Sequence, residues 1–303
     1  LNIGYNLNRA HIAWYYIDQI FTNGNANTPK HIKNDKEMLS HHYIRPVIEQ
    51  EIYQDKDPIF GESSTLQTLH LHYYPKERGA YNLNVDIDEN GYLNAPEDNW
   101  AGIMRKLDNT NFETSNIEYL EFWLMDPFIT CPDSMNTTPG KLVFNLGSVS
   151  EDVLKDGRKA FENGLPTSNN NAVNDTTIWG RVPRLTSITN SFDNSYLYQQ
   201  DLGLDGISND DEYNFHTYSK YYEKINSTAS GDAKLRWAEE AFSPLSDPAG
   251  DNFHYFRGDD YDERELDIFS RYKYYNGVEG NSTANSDEFT STATTSPDSE
   301  DLN

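Results

Sequence analysis

Residues 66–74, "LQTLHLHYY", alternate in hydrophobicity with the two-residue period of a β-strand. This period places His70 and His72 on one face of the predicted strand. An H-x-H pair can bind zinc, but a zinc site needs further ligands, and the sequence indicates none. We therefore interpret the two histidines as part of a solvated strand face.

Further strand patterns surround this stretch. Residues 117–128, "IEYLEFWLMDPF", are apolar on both faces, which is typical of a central strand covered on both sides. Residues 141–147, "KLVFNLG", predict another strand. Many short strands with few helices indicate a mainly β fold with short helices. We expect an antiparallel, jelly-roll-like β-sandwich with a more helical C-terminal part.

The C-terminal part shows helical periodicity instead. In residues 231–242, "GDAKLRWAEEAF", Asp232 is a candidate N-cap, and Leu235, Ala238 and Phe242 form one apolar stripe. The patterns together predict four segments. These are a mixed segment packed on the sandwich (1–65), the sandwich core (66–215), a helical segment (216–278) and an acidic, Ser/Thr-rich linker or strap (279–303).

Composition narrows the possible functions. The 303 residues carry a formal net charge of -25, which argues against binding to nucleic acid or to an anionic membrane. No apolar run approaches the ~18 residues of a membrane helix. The single cysteine, Cys131, excludes an intramolecular disulfide, and we interpret it as a small apolar filler rather than a nucleophile. Without a start methionine, the chain is expected to be part of a longer protein.

Residues 86–97, "DIDENGYLNAPE", fit the calcium-loop template D-x-[DN]-x-[DN]-G-x5-E. The residues at the template positions are Asp86, Asp88, Asn90, Gly91 and Glu97. The preceding residues have strand period, whereas an EF-hand loop follows a helix. We therefore interpret the stretch as a tight turn, followed by a helix cap formed by Asn94 and Glu97. A calcium site at Asp86, Asp88, Asn90 and Glu97 is the alternative, and otherwise no cofactor is expected.

A second, weaker calcium pattern occupies residues 201–212, "DLGLDGISNDDE". Asp205, Gly206 and Glu212 fit positions 5, 6 and 12 of the template, but Gly203 stands where a ligand is expected at position 3. Acid-rich turns produce such partial matches easily. This stretch alone therefore carries less weight than residues 86–97.

No common catalytic motif is present, including phosphate-binding loops, the nucleophile elbow and H-E-x-x-H. We therefore do not expect an enzyme. An extracellular carbohydrate-binding β-sandwich module remains the alternative function, because Trp123 or Trp179 could stack on a sugar ring.

Several long segments together resemble a known family. They are "YYPKERGAYNLN" (73–84), "WAGIMRKLDNTNFETSNIEYLEFWLMDPF" (100–128), "KLVFNLGSVSEDVLKDGRKAFENGLP" (141–166), "WGRVP" (179–183), "QQDLGLDGISNDDE" (199–212) and "NFHYFRGDDYDERELDIFSRYKYYNGVEGNS" (252–282). They resemble SprA, called Sov in some species, the outer-membrane translocon of the type IX secretion system in Bacteroidetes. The similarity covers nearly the whole chain and is clearest between residues 60 and 290.

The resemblance implies protein transport without catalysis. Proteins of this family form a very large β-barrel that exports folded cargo with a C-terminal signal, including gliding adhesins. The chain would then be a water-exposed insert that caps or lines the pore mouth at the bacterial outer membrane, with an extracellular cap favoured over the periplasmic side. The partners that the resemblance implies are the rest of the barrel, a PorV-type barrel, a plug protein and the cargo. It transfers no binding residue to this sequence.

Overall fold

In the computed structural model of the chain, the described residues are 3–22, 24–57, 64–105, 107, 111–126, 140–150, 152–160, 174–184, 203–240 and 243–275. They belong to two compact units. The first unit is built from residues 1–102 together with 152–301, and the second from residues 103–151.

The first unit begins with a 3-10 helix, Ile3–Asn8, and its longest strand pair is β1 (Ala10–Tyr15) with β4 (His70–Arg78). The two strands are antiparallel, and Tyr15 pairs with His70 while Trp14 pairs with Leu71. The register shifts between Ala10 and His11, since Ala10 pairs with Arg78 and His11 pairs with Tyr74, so the ladder is irregular at this point. The strand predicted from "LQTLHLHYY" (66–74) is therefore confirmed for residues 70–74, whereas residues 67–69 are not in a strand.

The faces of β4 are the reverse of those expected. Leu71 and Tyr73 are the exposed residues, whereas His70 and His72 are half-buried. Both histidine rings lie against Tyr15, with ring centroids 5.4 Å and 5.5 Å away. The interpretation of the histidines as a solvated face is thus wrong. Tyr15 provides an aromatic partner that the local alternation of β4 does not reveal.

Because His70 and His72 are half-buried, we expect the free energy of unfolding to fall as the pH drops from about 6.5 to about 4. Burial lowers the pKa of His70 to about 4 and also lowers the pKa of His72. In this window the unfolded state binds protons that the folded state excludes, so protonation favours unfolding. Chemical denaturation at about pH 7 and about pH 4.5 measures the difference.

The double variant His70→Gln/His72→Gln is expected to lose part of this pH dependence. His216→Gln provides the matched control, because His216 is exposed on a helix surface. An identical pH slope in the double variant and the parent chain would show that other groups cause the effect.

Short elements complete the first unit. The remaining strands pair as β2 (Val47–Ile48) with β3 (Thr65–Leu66) and β5 (Asn174–Thr176) with β6 (Arg181–Pro183). The helices within the described residues are α1 (Gln19–Thr22), α2 (Lys30–Asn34), α3 (Lys36–Ser40), α4 (Glu49–Ile52), a 3-10 helix (Pro96–Asp98), α5 (Asn209–Glu212), α6 (His216–Thr228), α7 (Gly231–Glu239), α8 (Asp259–Glu263) and α9 (Ile268–Tyr272).

Buried side chains form one cluster that joins β1 to the C-terminal helices, which we call the aromatic core. Its members are Ala13, Tyr15, Ile20, Phe21, Ile32, Ile44, Tyr255, Phe256, Ile268 and Tyr272. The rings of Tyr15 and Tyr272 stack with centroids 4.1 Å apart, and Phe256 stacks on Tyr272 at 4.8 Å. Residues from both ends of the described chain therefore share one apolar interior.

Two further clusters lie in the first unit. The tryptophan core consists of Tyr81, Leu154, Ala160, Trp179, Val182, Ile207, Tyr218 and Ala249. The helix core consists of Tyr221, Ile225, Ala233 and Trp237. Helix α6 contributes to both, since Tyr218 and Tyr221 face different clusters. This helix thereby connects the tryptophan core to α7.

The buried face of α7 differs from the predicted stripe. Ala233 and Trp237, four residues apart, are buried, whereas Leu235 is 70% exposed. Ser230 rather than Asp232 caps the helix, because its hydroxyl accepts a hydrogen bond from the Ala233 N–H. Phe242 lies outside the described residues.

In the second unit, the segments predicted as strands contain no regular β-ladder within the described residues 111–126 and 140–150. Their apolar side chains are largely exposed, with Tyr119 at 77% and Val143 at 68%. Phe122 and Phe144 contact each other with ring centroids 4.9 Å apart. The expectation of a strand covered on both sides is therefore not met, because no second layer from the described residues of their own unit packs on them.

The described chain has a mixed α+β fold. Its sheets within those residues are three separate pairs of antiparallel strands, and most members of the aromatic core and the tryptophan core lie in helices or irregular loops. A jelly-roll sandwich needs two larger sheets packed face to face. The described residues do not form such a sandwich. The four-segment division proposed from the sequence stays a prediction.

Candidate metal centre

Residues 86–97 form a compact turn close to the end of β4. The side chain of Asp88 accepts hydrogen bonds from the N–H groups of Asn90 and Tyr92, each at 2.9 Å. The Asp88 N–H in turn donates to the Tyr92 carbonyl at 2.8 Å. That carbonyl belongs to position 7 of the calcium template, which supplies a backbone oxygen to the ion. The turn therefore already uses oxygen atoms that a calcium ion would need.

The turn docks on α7 through its backbone carbonyls. Ser230 donates a hydrogen bond to the Glu89 carbonyl, and the Arg236 guanidinium donates to the carbonyls of Asn90 at 2.9 Å and Gly91 at 3.2 Å. Gly91 has a φ of 79°, and a Cβ there would lie 2.6 Å from the Trp237 ring. Glycine is thus required both for the positive φ and for the close approach of the helix.

The four calcium candidates of this stretch are not drawn into one cluster. Asp86 and Glu97 are exposed, and Asp86 accepts a hydrogen bond from the Asn94 side chain at 2.8 Å. The predicted tight turn is present, but the predicted cap and helix are not. Pro96–Asp98 is a single 3-10 turn preceded by Ala95 in the left-handed region, and residues 99–105 are not helical. Calcium binding at Asp86, Asp88, Asn90 and Glu97 stays a prediction.

The structure instead brings three carboxylates together around the weaker template match. Asp205, Glu212 and Asp251 each offer one oxygen, and these oxygens lie within 4.8 Å of one another. Asp205 and Glu212 are fully buried, and Asp251 is 3% exposed. We call these three residues the acidic cluster. Among the Asp, Glu, His and Cys side chains of the described residues, the acidic cluster is the group whose spacing suits a metal ion.

Local hydrogen bonds hold the first two carboxylates in place. The Asp205 carbonyl accepts from the Arg181 N–H of β6 at 2.7 Å, and its side chain accepts from the Ile207 N–H at 2.9 Å. Glu212 ends α5, and its side chain accepts from the Ala249 N–H at 2.8 Å. Each side chain is therefore fixed by the backbone of a neighbouring loop or strand.

The third carboxylate occupies the space left by a glycine. A Cβ at Gly203 would lie 2.0 Å from Oδ2 of Asp251. Gly203 is the residue that replaces the expected ligand at position 3 of the template. The missing side chain thus makes room for a carboxylate from a distant loop, and no contiguous pattern in the sequence could reveal Asp251 as a member of this group.

The interior around the acidic cluster disfavours charge. Burial raises the pKa of Asp205, and the nearby Asp247 carboxylate raises it further. Asp205 forms no ion pair with any Lys or Arg of the described chain. Asp247 is also buried, but its two oxygens accept hydrogen bonds from the N–H groups of Gly250 and Asn252. Asp247 therefore stabilises its own loop.

Two buried tyrosines border the acidic cluster. Burial raises the pKa of Tyr81 and Tyr218 far above the usual value, and the charges of Asp205 and Asp251 raise both further. The Tyr81 hydroxyl accepts a hydrogen bond from the Leu204 N–H at 2.6 Å. Both phenols therefore face the carboxylates in their neutral form and can act as hydrogen-bond donors.

The other candidate residues are placed as follows. Trp179 is fully buried in the tryptophan core, so it is closed to a sugar ring, whereas Trp123 is 70% exposed. His70 and His72 lie against Tyr15, and no carboxylate or third histidine joins them in a metal-binding group within the described residues. Cys131 lies outside the described residues. Among the helices of the described chain, none has the length and hydrophobicity needed to cross a bilayer.

Comparison with known proteins identifies the C-terminal part of the chain. Residues 220–303 match the family SprA_N, which is described as a motility related/secretion protein. A search among curated proteins finds no match. The matched region contains α7, α8 and α9 as well as Asp251, so it contributes to the aromatic core and to the acidic cluster.

This match places residues 220–303 among the motility- and secretion-related proteins. The matched residues, 220–303, are of the SprA type, and the resemblance inferred from the sequence is confirmed over this region.

Proposed function

We propose that this chain is a non-catalytic part of an outer-membrane translocon that exports proteins, including gliding adhesins, by the type IX route. The observation that carries the proposal is the match of residues 220–303 to a motility and secretion family. The long sequence segments that resemble SprA outside this region support the same assignment.

Within the translocon, we propose a water-exposed insert that caps or lines the pore mouth. A formal net charge of -25 favours contact with water and repels acidic surfaces. The first unit also has its own buried clusters, as expected for an element that does not depend on lipid for its interior. The partners in this proposal are the barrel that carries the insert, a PorV-type barrel, a plug protein and the passing cargo.

Deletion of residues 1–303 from the translocon is expected to block the export of cargo that carries the C-terminal signal. A second possible outcome under the same proposal is an ungated pore, because a cap that is removed no longer closes the channel. Immunoblots of culture supernatant measure export, and sensitivity to detergent measures leakage.

The control for this experiment is the amount of the truncated translocon in isolated outer membranes, which must equal that of the parent strain. A protein exported by a different route should be unaffected. Normal export combined with unchanged detergent resistance would exclude the proposed role. An epitope in the exposed turn at residues 24–27 reports the side of the membrane, since an extracellular cap is labelled on intact cells.

A further inference from the structure

We propose that residues 117–126 pair in antiparallel orientation with the same residues of a second copy of this chain. The pairing makes the second unit the interface of a homodimer. The exposed side chains concerned belong to residues 117–125 and 142–149, which we call the apolar surface. The proposal goes beyond the transport function and does not depend on it.

The first argument is the extent of the apolar surface. It contains twelve large apolar side chains that are between 45% and 77% exposed. Together they expose on the order of 1,000 Å², whereas the largest apolar patch on a typical monomer covers about 300–600 Å². A stable dimer buries about 800 Å² of each copy. The apolar surface is therefore large enough to hold a second copy.

The second argument concerns the main chain, and it selects a β-strand as the partner. Within the described chain, the main-chain groups of residues 118–122 and 142–149 form no hydrogen bond. The ring contact of Phe122 with Phe144 shows that the two segments lie side by side. The other edge of residues 117–126 is then left for a strand from another chain, whose N–H and C=O groups can pair with it.

The charge pattern makes residues 117–126 complementary to themselves. In an antiparallel pair centred between Glu121 and Phe122, each of the three acids of the segment lies opposite an apolar residue of the copy. A shift by one residue places Glu121 opposite its own copy or Glu118 opposite Asp126. Like charges directly opposite each other destabilise a sheet, so the centred register is favoured. A closed two-fold dimer requires such a self-complementary surface.

The pairing also explains why the sequence predicts strands that the single chain does not form. An isolated pair of strands is marginally stable in water, whereas three or more strands form a stable sheet. Two copies joined along residues 117–126 bring together four segments, because residues 142–149 of each copy lie on the outer side. The strands therefore form when the second copy binds.

The test is the oligomeric state of the purified 303-residue chain. Sedimentation equilibrium between about 0.1 and 100 μM is expected to show a reversible monomer–dimer equilibrium, since interfaces of this size have micromolar or tighter dissociation constants. A chain that remains monomeric over this whole range would overturn the proposal. So would a monomer that binds vesicles of phosphatidylcholine through the apolar surface, because lipid would then be the partner.

A charge exchange tests the register. Leu120 lies opposite Trp123 of the copy in the centred pair. Leu120→Glu and Trp123→Lys, made singly, each place a charge against an apolar side chain and should raise the dissociation constant of the dimer at least about tenfold. The double variant places the two opposite charges side by side across the interface and should recover most of the affinity.

Leu235→Glu is the matched control, because Leu235 in α7 is 70% exposed, like Trp123. It should dimerise as the parent chain does. Equal weakening by Leu235→Glu would show that association depends on general hydrophobicity, and the proposal would fail. Unchanged association in both single variants, or no recovery in the double variant, would equally contradict it.

Discussion

Trp179→Ala is expected to lower the free energy of unfolding by about 3–5 kcal/mol, the range for removing a large aromatic side chain from a packed interior. Trp179 is fully buried, and its ring meets Tyr81 edge-on with centroids 6.2 Å apart. The adjacent Gly180 leaves no room for the backbone to close the cavity, because a Cβ there would lie 1.9 Å from the Asp205 carbonyl oxygen. Urea denaturation provides the measurement.

Trp123→Ala is the matched control, because it removes the same side chain from a position that is 70% exposed. A change of at most about 0.5 kcal/mol is expected there. Trp179→Phe should cost less than Trp179→Ala, because phenylalanine keeps most of the ring volume, and both variants remove an indole N–H that forms no hydrogen bond. Equal effects of Trp179→Ala and Trp123→Ala would contradict the packing described for the tryptophan core.

Arg271→Met is expected to lower the free energy of unfolding by about 3 kcal/mol. The substitution removes a buried guanidinium and leaves its acceptors without a hydrogen-bond donor. Arg271 is fully buried beside the aromatic core. Its guanidinium donates to the Leu266 carbonyl at 2.9 Å and the Asp262 carboxylate at 2.6 Å, and more weakly to the Phe256 carbonyl at 3.4 Å. Methionine fills part of the volume but donates no hydrogen bond.

Arg271→Lys separates charge from geometry. Lysine keeps the positive charge but cannot present the planar fork that reaches all three acceptors, so most of the loss should remain. Arg257→Met is the control, since Arg257 is exposed in the same loop region. Denaturation curves of the three variants should rank them Arg257→Met, Arg271→Lys and Arg271→Met in order of decreasing stability. A neutral effect of Arg271→Met would mean that these hydrogen bonds contribute nothing net to folding.

The sequence predicted β4 because alternation is a local property of consecutive residues. It did not predict which face of β4 is buried, since that depends on Tyr15 in a strand from another part of the chain. Residues 117–126 show that the sequence also does not predict whether a covering layer is present. Their apolar pattern is typical of a covered strand, yet a pattern cannot supply the layer that covers it.

The acidic cluster was partly visible in the sequence. Asp205 and Glu212 belong to a contiguous loop, so the calcium template detected them. Asp251 was not detected, because its position depends on the loop after Pro248 packing against Gly203. The full template match at residues 86–97 has a different cause, which is the composition of a tight turn. Its residue types suit a tight turn that docks on α7, and the same types occur in calcium loops.

The stacking of Tyr15 on Tyr272 has a consequence for how the boundaries of this protein are drawn. Sequence similarity delimits residues 220–303, but the interior of that region is completed by side chains from the first 44 residues. The described residues of that region, 220–240 and 243–275, therefore do not complete an apolar interior of their own. Excising or transplanting them would expose half of an aromatic interface, so the N-terminal strand and the C-terminal helices have to be exchanged together.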